Sequence, residues 1–246
     1  MKKIISVVNQ RQGAGKTATA VNLAVCLGLM EKSTLLVDFD PQGDASACLG
    51  VTPEQTSGNG IYQALAGRRT LADLERDTDF EFLKLVPAGI DLFAAEAEAS
   101  AMAGKETFLR DLLAGADNAD YVVVDTPSSM GFLTVSALAA AHVVVVPVQC
   151  HREALLHLGY LLKVVAKVRS GLNMGLRIGA VVFTRCDTME DAYARVDADA
   201  LKNMSSSVFV TTVAKFDGLQ GPVAAADIMA KAFEDYFDLA ARLIQE

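Results

Sequence analysis

The chain has no tryptophan, only three histidines, and an aromatic share of 7%, so no interleaved array of rings is available for stacking nucleic-acid bases. Its four cysteines, Cys26, Cys48, Cys150 and Cys186, follow neither a metal-ligand nor a disulfide-framework spacing, and buried reduced thiols are the expectation. No apolar run is long enough to span a bilayer: the densest, from Val135 to Val148, is broken by His142 and Pro147. Residues 1–8 form a short charged lead into an apolar strand, without the apolar region and small-residue cleavage site of a signal peptide. Positive charge is also scarce, the formal net charge being −8, which argues against blanket adhesion to DNA or anionic lipid. A cytoplasmic, reducing location is the expectation.

What is present is a soluble globular composition, 52% apolar and 21% charged, in 246 residues, expected to form one domain over 1–246 with a single large core. Runs rich in β-branched residues at Ile4–Val8, Thr34–Val37, Tyr121–Val124, His142–Pro147 and Ile178–Phe183 read as buried parallel strands. Helical spacing appears at Thr17–Met30, Phe108–Ala114, Leu155–Val168 and Ala232–Ile244, with Val21, Ala24, Val25 and Gly28 on one face of the first. Strands alternating with helices predict an α/β fold, a mostly parallel twisted sheet with helices on both faces and ligands at the strand C-termini. Residues 52–106, punctuated by Gly58-Asn59-Gly60 and Pro87-Ala88-Gly89, read as small helices and a strand elaborating the same domain.

The chemistry is concentrated where the first strand meets the first helix, in Gln10-Arg11-Gln12-Gly13-Ala14-Gly15-Lys16-Thr17. Gly13 and Gly15 allow backbone N–H groups to face an anion, the helix N-terminus adds its dipole, Lys16 can reach phosphates and Thr17 can offer a hydroxyl to Mg²⁺. Gln12, Gly13, Ala14, Gly15, Lys16, Thr17 and Ala18 are therefore the expected nucleotide-binding residues, although Gln10 stands where the strict Walker A pattern has glycine. Two apolar strands downstream end in carboxylates, Asp38 and Asp40 before Pro41, and Asp125 before Thr126-Pro127. A strand-terminal aspartate either caps the next turn or anchors Mg²⁺; two such strands after a Gly-Lys-Thr loop favour the anchor.

Asn9 to Thr17, followed by Val37-Asp38-Phe39-Asp40-Pro41-Gln42-Gly43-Asp44-Ala45-Ser46, resembles the ParA/MinD family of deviant Walker ATPases, closest to the branch that positions chromosomes, plasmids and other cargo. Asp125-Thr126-Pro127-Ser128-Ser129-Met130-Gly131 resembles its Walker B and switch II segment, and Val146-Pro147-Val148-Gln149-Cys150 its next strand and turn. The similarity spans about residues 3–185 and fades after Asp187. It implies a P-loop architecture binding ATP and Mg²⁺, with Lys16 and Thr17 on phosphates and metal, Asp40 orienting the attacking water, Asp125 supporting the metal and Asp38 beside the switch. It also implies an ATP-bound sandwich homodimer, slow hydrolysis that resets it, and a stimulating partner, a ParB-like protein or a cargo adaptor.

The chain departs from that family at three places. The signature lysine is Arg11, and the glycine after it is Gln12. Arginine keeps the charge and could act across the dimer on phosphate oxygens, or it could pair with a surface carboxylate. The arginines of DNA-riding members are mostly gone from Asp187–Asp191 and 213–218, leaving Lys215. Against that, no acidic residue occurs from Ala154 through Cys186, where Lys163, Lys167, Arg169, Arg177 and Arg185 do; this is either a patch for non-specific DNA or a solvated helix face. The last helix carries Glu234, Asp235 and Asp238 against Arg242, which speaks against a membrane anchor and for packing on the sheet. His142, His151 and His157 suggest no metal pair and are assigned no chemistry.

Overall fold

The computed structural model describes residues 2–99, 104–116, 118–151, 154–186, 188–195, 208–214 and 231–245. The order is β1 (Lys3–Val7), α1 (Lys16–Leu29), β2 (Thr34–Asp38), α2 (Asp44–Cys48), α3 (Pro53–Thr56), α4 (Tyr62–Leu65), β3 (Arg76–Asp77), β4 (Leu83–Val86), α5 (Leu92–Ala99), α6 (Phe108–Ala114), β5 (Tyr121–Asp125), α7 (Phe132–Ala140), β6 (Val143–Gln149), α8 (Ala154–Gly171), β7 (Arg177–Thr184), α9 (Met189–Arg195), β8 (Phe209–Val213) and α10 (Lys231–Gln245). One eight-stranded sheet runs β3-β4-β2-β5-β1-β6-β7-β8, with every pairing parallel except β3 with β4. The five expected strands and four expected helices are all present with ends shifted by at most three residues; among the described residues β8, α2, α7 and α9 come in addition, and the 52–106 region holds two strands where one was expected.

The central strands are apolar at successive positions because both faces of the sheet are covered. Ile5, Val7, Leu36 and Val123 point into a layer with α1 and α10, while Ile4, Leu35, Val37, Val122 and Val124 point into a layer with α4 to α7. Val144, Val146, Val181 and Phe183 extend that second layer under α8. Helix α1 is buried from Thr19 through Gly28, not on one face alone, because Phe233, Tyr236, Leu239, Ala240 and Leu243 of α10 close over its outer side. The apolar face of α10 is thus used within the fold, as its charge pattern suggested. No helix among the described residues is long and apolar enough to cross a membrane. All four cysteines are free and buried.

Two features fix where the site lies. β1 sits between β5 and β6, and the chain leaves it toward β2 on one side and returns past it to β6 on the other, so the C-terminal end of β1 is the topological switch point. Both ends of β1 are also pinned. The Ile4 N–H donates to Nδ1 of His142, 2.9 Å away, and the Lys3 ammonium donates to the Leu243 carbonyl at the end of α10, 2.6 Å away. At the other end Thr126 Oγ1 donates to the Val7 carbonyl at 2.7 Å.

Candidate functional site

The loop between β1 and α1 takes the shape its glycines permit. Gly13 and Gly15 have φ of 75° and 91°, left-handed values that an L side chain adopts only under strain. Gly15 is the N-cap of α1 and no side chain caps it, so the first-turn N–H groups are directed outward as an anion site. A Cβ on Gly15 would stand 2.9 Å from Cγ2 of Thr184, closer than real Cβ contacts come. That threonine, at the end of β7, also donates its hydroxyl to the Ala14 carbonyl at 3.1 Å. Ahead of the glycines, buried Asn9 donates to the Pro147 carbonyl at 2.6 Å and accepts from the Arg11 N–H at 2.8 Å.

Lys16, Thr17, Asp38, Asp40 and Asp125 come together as expected, at the ends of β1, β2 and β5. The Lys16 side chain is 6% exposed and its ammonium donates to Ser128 Oγ at 2.6 Å. Burial lowers its pKa, opposed by the charges of Asp125, Asp40 and Asp44. Asp38 and Asp125 are register partners across β2 and β5, and both are fully buried. Asp38 is satisfied: it accepts from the Ser46 N–H at 2.8 Å, from Ser46 Oγ at 2.6 Å and from the Asp40 N–H at 3.3 Å. Those bonds tie the turn after β2 to α2, and Ser46 Oγ in turn accepts from the Ala88 N–H at 3.1 Å. Desolvation pushes the Asp38 carboxyl up to about 7.

Asp125 is different. Among the described residues neither carboxylate oxygen has a hydrogen-bond partner, and burial followed by the charge of Asp38 pushes its pKa well up. The Thr17 hydroxyl works against that shift without completing a bond of ordinary geometry. A buried carboxylate without donors is costly on its own and is what a divalent cation would relieve. Asp40 is half-buried and accepts from the Gln42 N–H at 3.0 Å; desolvation raises its pKa, while that N–H and Lys16 oppose the rise. The residues present therefore fit Mg²⁺ held through Thr17 with Asp125 behind it, and a polyphosphate on the loop N–H groups and Lys16.

Gln12 and Gly13 are exposed and Ala14 is buried, so the Gln12 side chain stands at the mouth of the loop. Among the described residues Arg11 pairs with no carboxylate: its guanidinium lies 2.6 Å from Nε2 of His151. Three contributors were not assigned from the sequence. Ser128 lay inside the recognised switch segment without a role. Thr184 directly follows the expected strand Ile178–Phe183 and carried no role in the sequence. His151 was given no chemistry. Asp187, Lys215 and the stretch that follows Ala214 up to Ala230 lie outside the described residues, as do the side chains of Leu155 and His157.

The AAA_31 family profile, an AAA domain, matches residues 2–178. The chromosome partitioning protein ParA of Myxococcus xanthus is 36% identical over 250 residues, covering 99% of this chain and 88% of its own. The chromosome-partitioning ATPase Soj of Treponema pallidum is 40% identical over 214 residues, 87% of this chain and 83% of its own. Among solved structures, cobyrinic acid a,c-diamide synthase of Mycobacterium smegmatis with bound ADP and magnesium superposes with a TM-score of 0.82 at 30% identity, over 100% of this chain and 95% of that one. A Cyanothece McdA variant in complex with ATP gives 0.87 at 18% identity over 99% and 96% of the two chains, a likeness of fold. With the family profile matching residues 2–178 and relatives 36–40% identical over 87–99% of this chain, the protein belongs to the ParA/Soj family within the AAA_31 domain class.

Proposed function

We propose that the chain, as a single domain over 1–246, is a cytoplasmic ATPase switch that binds Mg-ATP, forms a nucleotide sandwich homodimer, and positions or partitions a cargo such as DNA, a plasmid or a protein cluster. The observation that carries the reading is the donor-less Asp125 carboxylate, buried beside Thr17 and Lys16 at the switch point. Support comes from the curated relatives, which are named as partitioning proteins at 36–40% identity. The synthase matches at 30%, so partitioning is preferred over amide-bond synthesis.

Each residue has a chemical task in this reading. Gly13 to Ala18 supply N–H donors to the phosphates, and Lys16 brings a compact charge to them. Mg²⁺, held by Thr17 and Asp125, would neutralise charge on the phosphate oxygens. Asp40, one oxygen fixed by the Gln42 N–H, orients the attacking water with the other; burial makes it a better acceptor than a solvated aspartate. Arg11 lends its guanidinium to phosphate oxygens across the dimer. A ParB-like protein or cargo adaptor stimulates hydrolysis, and non-specific DNA is a candidate surface for the dimer.

A second reading has a specific motive in Arg11 and Gln12: a dimerising scaffold that binds nucleotide and scarcely hydrolyses it. Turnover of Mg-ATP by the full chain, alone and with candidate partners, separates the two. The ATPase reading expects slow turnover that Asp40→Ala lowers on the order of 10²-fold or more, and that Arg11→Lys alters without abolishing nucleotide binding. ATP-dependent dimers with no turnover under any condition would leave the scaffold.

A further inference from the structure

The contact between Arg11 and His151 constrains both groups. A guanidinium carries five N–H donors and accepts nothing, so at 2.6 Å the His151 Nε2 must be the acceptor. The ring is then neutral, with its proton on Nδ1. His151 lies between β6 and α8, one residue beyond Cys150, whose N–H donates to the Thr184 carbonyl at 3.2 Å. The same stretch of chain holds the loop from beneath, because Asn9 donates to the Pro147 carbonyl and accepts from the Arg11 N–H. Backbone and side chain of Arg11 are thus both tied to the segment 147–151 that follows the middle of β6.

We propose that His151 is the positioning residue for Arg11, a neutral acceptor that holds the guanidinium against its own protomer. The inference rests on the reading of Arg11 as a phosphate group's partner across an ATP-bound dimer. An arginine held in cis cannot reach a second protomer, so His151 and the opposing phosphates compete for one guanidinium. Phosphate wins that competition where it is present, since a bidentate charge-assisted pair is stronger than one bond to a neutral imidazole. Where it is absent His151 keeps the arginine back, and the exchange sets the threshold at which ATP drives association. Lysine, the residue usual at this position in the resembling family, has no planar fork to divide between an imidazole and a phosphate, so the latch belongs to the arginine variant.

Two measurements on the full chain test this. Long-range ¹⁵N NMR of the histidine side chains should show His151 as the Nδ1-protonated tautomer in the wild type, and a lower share of that tautomer in Arg11→Ala, which removes the donor to Nε2. Sedimentation velocity across an ATP series should show His151→Ala dimerising at roughly ten-fold lower ATP or protein concentration, the size expected for losing one hydrogen bond to a charged group. His151→Gln, which retains a neutral acceptor, should stay close to wild type, and His151→Ala should have no effect in an Arg11→Ala background. A His151 tautomer indifferent to Arg11→Ala, or a dimerisation threshold that His151→Ala leaves unchanged or raises, overturns the proposal. A wild-type chain that never dimerises with ATP overturns the functional reading instead, and the tautomer measurement then still decides the pairing.

Discussion

A buried aspartate with no donor on either oxygen, such as Asp125, is among the more expensive arrangements a core can hold, and here it faces a second buried aspartate across one strand pair. Both carboxyls respond by holding their protons more tightly: Asp38 is pushed up to about 7 and Asp125 well above its usual range, each chiefly by desolvation. A carboxyl whose folded pKa exceeds its unfolded one supports the fold below the unfolded value near 4 and loses that support as pH rises through the folded value. The chain without Mg²⁺ should therefore lose stability between about pH 5 and pH 8, and Asp125→Asn should recover it. Calorimetry should find the Asn variant more stable at pH 8 by about 1–3 kcal/mol, less so at pH 6, with no added stabilisation from Mg-ATP. Equal thermal midpoints at both pH values would contradict the assignment. Lys16, Asp38, Asp40 and Asp125 were legible in the sequence because each ends an apolar run or follows the glycines. Ser128, Thr184 and His151 were not, since their roles exist only through pairings 112, 170 and 140 residues apart along the chain.

At the scale of elements, apolar pattern found the strands that are covered on both faces and missed what is covered on one. β8 reads Phe-Val-Thr-Thr-Val, half-buried along most of its length at the sheet edge, with no clean alternation to mark it. α7 is so rich in alanine and other small apolar residues that it merges in sequence with β6, and only Ala141, with extended backbone, and His142 separate them. α10 was read correctly for its charge, but its consequence for α1 was not: a helix with apolar residues on every side needs a second cover. That cover is testable. Leu239 is fully buried against α1, and Leu239→Ala should cost about 2–5 kcal/mol in urea denaturation. Tyr236, whose hydroxyl lies 3.2 Å from Thr19 Oγ1 inside the core, should lose about 1 kcal/mol as Phe. A cost for Leu239→Ala below about 0.5 kcal/mol, the range of surface changes, would mean that α10 is not part of the core.

At the scale of the molecule, the net charge of −8 and the basic stretch over α8 and β7 pull in opposite directions. Lys163, Lys167 and Ser170 are exposed on one helical face, joined by Tyr160 at 54% exposure, and Arg169 and Arg177 line a neighbouring cavity of about 590 Å³. A single protomer offers few cations against a large negative field, so contact with a phosphate backbone should be weak and strongly screened. The proposed ATP-bound dimer would change the balance locally if both patches met one duplex, doubling the cations there while adding distant negative charge that salt screens. DNA binding by this face should therefore need ATP and fall steeply with salt. An electrophoretic shift with ATP at low ionic strength should vanish in Lys163→Glu/Lys167→Glu. Replacing both lysines by Gln should flatten the salt dependence by up to about two counterions per protomer. The absence of a shift at low salt, in a chain shown to dimerise with ATP, would mean that the lysines serve only to solvate α8 and that the cargo is engaged through another surface.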